Sequence, residues 1–165
     1  MRTAEKRWFS VSVDLDAIDL YYQIHGLGPA PDELRSVVLT QALPRFADAF
    51  ADAGVRATFF VVGRDIDVDD VVGGGHADTA ARAAGADAVT EVASAGHELG
   101  NHSYAHRYDM ARMDAASVRA DIARATTVIA ARGSRPIVGF RAPGYDLSPA
   151  MMRALIELGY RYDSS

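Results

Sequence analysis

The segment VRATFFVVG, residues 55–63, is a near-continuous run of β-branched and aromatic side chains that decides how this chain folds. A strand with one face in water alternates polar and apolar residues, whereas a run such as this one is typical of a strand buried on both faces. Strands of that kind occur in parallel sheets that are covered by helices on both sides. The segment therefore indicates an α/β protein.

Strand-like and helix-like segments alternate on both sides of this run. WFSVSV predicts a strand from Trp8 to Val13, residues 16–33 are rich in breakers and predict a loop, and the spacing of apolar residues predicts a helix over 34–53. Pro44 lies inside that helix, and we expect it to kink the helix or split it in two.

The rest of the chain repeats the alternation. Asp114 and Ser148 are placed to cap helices, and Val118, Ile122 and Ile129 are expected to face inward. The predicted elements are an acidic and an alanine-rich helix on either side of the glycine triplet 73–75, a strand at 97–103, a helix at 114–132, a strand at 135–143, a helix at 148–159 and a strand from 160. Such alternation favours a parallel sheet or a (β/α) barrel.

The composition excludes several classes of function. A chain of 165 residues with a formal charge of −5 and no basic run is one domain without a nucleic-acid or anionic-membrane partner. Without cysteine there is no disulfide or thiolate catalysis, and any metal must be bound by histidine and carboxylate. The chain has neither a signal-peptide pattern nor a run of about 18 apolar residues, so we expect a cytoplasmic protein.

Residues that can carry chemistry follow the predicted strands. In GNHSYAH, residues 100–106, His102 and His106 lie four positions apart, within chelating distance even in a loop. The same spacing is also found in surface histidines and helix caps. In SVDLDAID, Asp14 and Asp16 alternate at the end of a buried strand, where an unpaired carboxylate costs several kcal/mol. They also fit turn formers or helix caps, but the four residues together suit Zn²⁺ or a similar divalent ion.

Three motifs make the chain similar to a known family. SVDLD, HSYAH and RAPGY occur in the order and βα contexts of the first three motifs of the polysaccharide deacetylases, that is, carbohydrate esterase family 4 or NodB-like proteins. ATFFVVG and ELGYRYDSS support this resemblance, which extends from about Trp8 to Ser165. It implies that residues 1–165 are the N-terminal part of a NodB-type (β/α) barrel with parallel strands, incomplete at its C-terminus.

The resemblance also implies roles for individual residues. Asp16, His102 and His106 would be the metal ligands, Asp14 the general base, and Arg141 the residue that orients the base by a charge-assisted hydrogen bond. Three protein ligands would leave a coordination position open for water and the substrate oxygen. The ion, Zn²⁺ or alternatively Co²⁺ or another divalent metal, would lower the pKa of its water toward about 7.

Two motifs depart from the commonest family pattern. Leu15 separates the two aspartates that are usually adjacent, which leaves open which aspartate takes which role. Gly144 stands where an aromatic residue is frequent, with Tyr145 after it. By resemblance, Pro143, Gly144 and Tyr145 would contact the substrate, with the backbone N–H of Gly144 or Tyr145 at the oxyanion.

The remaining polar residues have structural interpretations. We expect His97 to be a structural histidine near its strand, His76 to be solvated, and Asn101 to fix the loop that carries the histidines. His25 lies in a loop that could extend over the site. The acidic segment 64–70 is expected to cap a helix and face water.

Three functions follow as hypotheses. The first is a metal-dependent hydrolase that removes N-acetyl groups from an amino-sugar polymer or oligosaccharide. The second is an amidohydrolase of the same fold that acts on a small ureide or formamide, and the third is a non-catalytic domain. The family's two later motifs, one with Asp and Trp and one with a histidine acid, are expected beyond Ser165. An open sheet edge would allow a homo-oligomer.

Overall fold

A computed structural model describes residues 8–70 and 76–165 of the chain. Within them, five strands form one parallel sheet in which each strand pairs with the next along the chain. The strands are β1 (Ser12–Leu15), β2 (Thr58–Val61), β3 (Glu98–Asn101), β4 (Gly139–Phe140) and β5 (Tyr162–Asp163). The expected α/β fold with parallel strands is therefore confirmed.

Helices connect the strands and cover the sheet. The α-helices are α1 (Ile18–Ile24), α2 (Leu43–Asp52), α3 (His76–Ser94), α4 (Ala115–Ala130) and α5 (Pro149–Glu157). Short 3₁₀ turns lie at Asp32–Leu34, Gly63–Asp65, Met110–Arg112 and Pro143–Tyr145. A π-helical turn, Val38–Ala42, precedes α2, and Pro44 lies in the first turn of α2, where its missing N–H costs no helical hydrogen bond. The backbone stays helical from the π-helical turn into α2, so the 34–53 helix is not split in two at Pro44; its hydrogen-bond pattern changes just before the proline instead.

Local signals at the helix ends are confirmed. The Asp114 carboxylate accepts a hydrogen bond from the Ser117 N–H at 2.9 Å and caps α4, and the Ser148 hydroxyl caps α5. The apolar side chains predicted to face inward from α4 are fully buried, namely Val118, Ile122 and Ile129. In β2, Phe59, Phe60 and Val61 are also buried, as the opening segment predicts.

Three expectations were wrong. The first strand starts at Ser12, because Trp8 and Phe9 are 80% and 78% exposed and pair with no other strand. The predicted loop 16–33 contains α1, which buries Leu20. The acidic segment 64–70 forms no α-helix beyond the 3₁₀ turn Gly63–Asp65, and it does not face water, because Asp67 is buried and accepts hydrogen bonds from the Tyr104 hydroxyl and Arg124. The glycine triplet and the His76 side chain lie outside the described residues.

The parallel sheet brings its polar residues to one edge. Asp14 lies in β1 and Asp16 just beyond it, His102 directly follows β3, and Arg141 directly follows β4. Carboxyl ends of parallel strands are where α/β proteins bind ligands. Across residues 8–70 and 76–165, no helix combines the length and apolar character needed to cross a bilayer.

Candidate active site

The loop that carries the two histidines is held by side chains that accept hydrogen bonds from its backbone. The fully buried Asn101 accepts from the Ser103 N–H at 2.7 Å and donates to the Ile122 carbonyl and the Tyr160 hydroxyl. The Ser103 hydroxyl accepts from the His106 N–H at 2.9 Å. The expected role of Asn101 is confirmed.

Asp121 on α4 also stabilises this loop, and no pattern in the sequence indicates that role. Its carboxylate accepts from the N–H groups of Tyr104 and Ala105 at 2.7 and 3.1 Å. Ser103 and His106 both adopt left-handed backbone conformations, with φ of 65° and 49°. Such conformations persist in residues other than glycine only where surrounding contacts fix them. The hydrogen bonds of Asn101, Ser103 and Asp121 supply those contacts.

Three ligand atoms converge between β1 and this loop. Oδ1 of Asp16 lies 3.3 Å from Nε2 of His102 and 3.1 Å from Nε2 of His106, and the two nitrogens are 3.2 Å apart. Both histidines are buried. Ligands about 2.0–2.1 Å from a tetrahedral Zn²⁺ are about 3.3 Å from one another, close to these separations. Asp16, His102 and His106 therefore form a candidate metal site.

The tautomer of His102 fits a cation at this place. Nδ1 of His102 lies 2.7 Å from the carbonyl oxygen of Arg141, and because a carbonyl only accepts, Nδ1 carries the hydrogen. In a neutral ring, Nε2 then carries a lone pair directed toward the Asp16 carboxylate, whose Oδ1 is buried without a well-formed hydrogen bond. Two facing lone pairs repel unless a proton or a metal cation lies between them.

The charge balance of the site favours an ionised Asp16. Burial raises the pKa of its carboxyl, but hydrogen bonds and positive charge from His102 and His106, when these rings are protonated, outweigh burial and hold that pKa well below its usual range; a cation between the three groups would act in the same direction. A carboxylate and two imidazoles are the ligand types that Zn²⁺ takes in the absence of cysteine.

Asp14 lies beside the candidate metal site and is held by Arg141. Nη1 of Arg141 donates to Oδ1 of Asp14 at 2.6 Å. The guanidinium also donates to the Ser12 hydroxyl and to the hydroxyl and carbonyl of Ser164, and it stacks 4.3 Å from the Phe60 ring centroid. The Arg141 side chain is only 12% exposed, so the orientation of its guanidinium is fixed.

The RAPGY motif forms a tight turn next to Asp14. Pro143 is buried, whereas Gly144 and Tyr145 are exposed, so contact with a substrate would come from the latter two. The Tyr145 N–H donates to the Ala142 carbonyl at 3.0 Å, which leaves the Gly144 N–H as the candidate oxyanion donor. A Cβ on Gly144 would lie 3.1 Å from the Tyr108 ring, which accounts for glycine at this position.

Several residues around the site carry no signal in the sequence. The Tyr108 ring packs edge-on against His106 at 5.1 Å. The Asp65 carboxyl has one fully buried oxygen without a partner among the described residues, and burial raises its pKa to about 6. Each is brought to the site by the chain fold rather than by a recognisable motif.

The other histidines lie apart from the site. His97 is buried, and its Nδ1 accepts a hydrogen bond from the Ala57 N–H at 3.0 Å, which confirms the structural interpretation. His25 follows α1 and its ring packs on Tyr21 at 4.3 Å. Among the described residues, the structure records no contact between His25 and the candidate metal ligands.

This fold and site define a class of protein. The family model for polysaccharide deacetylase matches residues 29–162, so the chain belongs to the polysaccharide deacetylase family, a family of hydrolases of non-peptide carbon–nitrogen bonds. The family resemblance that the three motifs suggested is confirmed.

Particular relatives share most of this chain. It is 23% identical to a peptidoglycan deacetylase of Helicobacter pylori over 155 residues, which are 93% of this chain and 47% of the relative. A family 4 carbohydrate esterase from Streptomyces lividans, solved with acetate, superposes with a TM-score of 0.63 at 21% identity, covering 96% of this chain and 62% of the esterase.

A family 4 pseudoenzyme from Bacillus anthracis also has this fold. It superposes with a TM-score of 0.64 at 16% identity, over 98% of this chain and 44% of the pseudoenzyme. A mutant of that pseudoenzyme with restored activity gives a TM-score of 0.66 at 18% identity, over 98% and 46%. This chain thus spans about half the length of the relatives it matches.

Proposed function

We propose that this chain provides the metal-binding and base-bearing part of a deacetylase active site that hydrolyses N-acetyl groups on an amino-sugar polymer or oligosaccharide. The observation that carries the proposal is the triangle of Asp16, His102 and His106, with donor atoms 3.1–3.3 Å apart, next to the Asp14–Arg141 pair. Three candidate metal ligands thus lie next to a carboxylate that is not one of them and that an arginine orients.

Each residue has a defined task in this proposal. A divalent cation, Zn²⁺ by its preference for this ligand set or Co²⁺ in its place, would polarise the acetyl carbonyl and acidify a water. Asp14 would accept a proton from the attacking water, and Arg141 would keep the carboxylate in the orientation that this transfer needs. The N–H of Gly144 would donate to the oxyanion, the kind of interaction that contributes roughly 3 kcal/mol in other hydrolases.

The proposed substrate class rests on the relatives and on the surroundings of the site. The Helicobacter pylori relative is named for deacetylating peptidoglycan. Tyr145 is 61% exposed and Tyr108 41% exposed beside the metal ligands, and amphipathic rings of this kind can pack on a sugar face. The Asp-x-Asp spacing around Leu15 resembles both the peptidoglycan-deacetylase-like and the ureide-amidohydrolase-like branches of the family, so a small ureide or formamide is the second candidate substrate.

Metal binding is the first test. Elemental analysis of protein equilibrated with Zn²⁺ is expected to give about one ion per wild-type chain and none for His102→Ala. His25→Ala is the matched control, because His25 is an exposed histidine that packs on Tyr21 away from the site. Equal zinc content in His102→Ala and the wild type would remove the basis of the proposed function.

Turnover is the second test and separates the candidate substrates. Acetate release from chitooligosaccharides and peptidoglycan fragments, and ammonia release from ureides and formamides, are measured with Zn²⁺ or Co²⁺. We expect acetate release by the wild type and its loss in Asp14→Asn, which retains the metal ligands. Zinc uptake without turnover on any substrate would instead support a non-catalytic domain, as in the Bacillus anthracis pseudoenzyme.

A further inference from the structure

The two oxygens of the Asp14 carboxylate have different hydrogen-bond donors, and both donors come from segment 141–145. Arg141 donates to Oδ1 at 2.6 Å, and the Tyr145 hydroxyl donates to Oδ2 at 3.1 Å. The family motif implies the arginine contact. The tyrosine contact follows from the geometry of this chain, in which glycine and tyrosine end the motif.

An unusual backbone places the tyrosine ring at Asp14. Gly144 and Tyr145 are consecutive left-handed residues, with φ of 66° and 60°. Tyrosine is strained in this conformation, and the hydrogen bond from its N–H to the Ala142 carbonyl closes the turn around it. The centroid of the Tyr145 ring thereby lies 5.8 Å from Cζ of the Arg141 guanidinium, and the Tyr145 hydroxyl is within hydrogen-bond distance of Asp14.

We propose that Tyr145 is a positioning residue for the base: its hydroxyl holds Oδ2 of Asp14 while Arg141 holds Oδ1. A carboxylate held at one oxygen can still rotate about its Cβ–Cγ bond, whereas donors on both oxygens fix its plane. Displacing a reacting group by about 1 Å can cost about 100-fold in rate, so this second contact bears on turnover. The inference rests on the proposed function.

The two contacts differ in their exposure. The Arg141 side chain is 12% exposed and makes three other hydrogen bonds, so it holds Asp14 from inside the protein. Tyr145 is 61% exposed and holds the carboxylate from the side where a substrate would arrive. The Tyr145 ring can therefore contact substrate, while its hydroxyl acts on Asp14.

A spectroscopic experiment tests the contact without any substrate. In protein labelled with ¹³Cζ-tyrosine, Tyr145→Phe removes one resonance and so assigns it. At neutral pH, Asp14→Ala is expected to move that resonance more than any other tyrosine resonance, with that of Tyr21 on α1 unmoved. An unmoved Tyr145 resonance would overturn the proposal, whether or not the protein is an active deacetylase.

Kinetics test the consequence in an active wild type. Tyr145→Phe, which removes only the hydroxyl, is expected to lower kcat about tenfold with KM and zinc content unchanged. Tyr145→Ala, which also removes the ring, is expected to raise KM as well. Tyr21→Phe, an exposed tyrosine outside the site, is expected to match the wild type. Wild-type kcat in Tyr145→Phe would overturn the proposal while leaving the proposed function intact.

A wild type without turnover on any substrate would contradict the proposed function alone. The tyrosine resonance would then still decide whether Tyr145 holds Asp14. Measurements on one set of variants therefore distinguish failure of the proposed function from failure of the proposed role of Tyr145.

Discussion

The main-chain carbonyl of Arg141 accepts a hydrogen bond from Nδ1 of His102 at 2.7 Å, while the side chain of Arg141 holds Asp14 at 2.6 Å. A single residue after β4 thus orients a candidate metal ligand with its backbone and the candidate base with its guanidinium. Because the backbone contact survives a change of side chain, these two effects can be separated by substitution.

Arg141→Ala and Arg141→Lys are expected to retain zinc and lose turnover. The His102 contact uses the carbonyl of residue 141 and stays, whereas Asp14 loses the donor that fixes its orientation, which we expect to lower kcat/KM about 100-fold. Zinc content and acetate release are measured on the same preparations. Arg119→Ala is the control, because Arg119 pairs with Glu157 on the exposed surface. Loss of zinc in both Arg141 variants would contradict this division of roles.

Features with local signals were predictable from the sequence. The buried strand β2 is visible as an apolar run, and the caps Asp114 and Ser148 are visible as polar residues before helical spacing. The four candidate ligand and base residues were predictable because parallel strands bring their carboxyl ends together. Grouping these residues needed only the identity of neighbouring residues and the direction of the strands, whereas the separate roles of ligand and base came from the resemblance to the deacetylase family.

Features that depend on tertiary contacts were not predictable. Trp8 and Phe9 have the side chains of a strand, but the residues next to them in space do not cover them. Asp121 accepts hydrogen bonds from backbone N–H groups 16 and 17 residues earlier in the chain. No spacing pattern in the sequence predicts this contact. The Tyr145 hydroxyl donates a hydrogen bond to Asp14, which is 131 positions away in the chain, because a left-handed turn places the ring there. Sequence patterns report local periodicity and do not report such pairings.

Asn101→Ala is expected to destabilise the protein by about 3 kcal/mol. The substitution leaves the Ser103 N–H unsatisfied, which costs about 1–3 kcal/mol, and removes one of the hydrogen bonds of the Ile122 carbonyl and of the Tyr160 hydroxyl, both of which keep Thr126 as a partner. Urea unfolding at neutral pH measures the change. Thr127→Ala on the exposed face of α4 should shift the free energy of unfolding by no more than about 0.5 kcal/mol. Equal effects of both substitutions would contradict the role of Asn101.

Gly100→Ala is expected to destabilise the sheet next to the site. A Cβ at this position would lie 2.5 and 2.6 Å from two atoms of the Phe60 ring, which is buried and stacks on the Arg141 guanidinium. Overpacking of this kind typically costs about 1–3 kcal/mol. In a Phe60→Leu background the same substitution should cost less, because the obstructing ring is gone. Additive effects in this double-mutant cycle, measured by urea unfolding, would rule out the ring contact as the cause.

The stability of the protein is expected to fall as the pH drops below about 6.5, through His97. Burial lowers the pKa of this histidine, with the charge of Arg56 acting in the same direction. The unfolded chain takes up a proton at His97 below about pH 6.5, whereas the folded protein does so only at lower pH. The unfolded state therefore binds more protons in this range, so the free energy of unfolding rises with pH and is lost as the pH falls.

His97→Gln isolates this contribution, because glutamine does not titrate and its amide oxygen can still accept the Ala57 N–H. Urea midpoints of both proteins, without added metal, are compared at pH 7.5 and pH 5.5. Asp65 titrates in the same range, with a pKa raised to about 6 by burial, and acts in the opposite direction, but its effect is common to both proteins and cancels in the comparison. We expect the wild type to lose more stability on acidification than His97→Gln. Equal losses would mean that His97 is protonated as readily in the folded protein as in the unfolded chain.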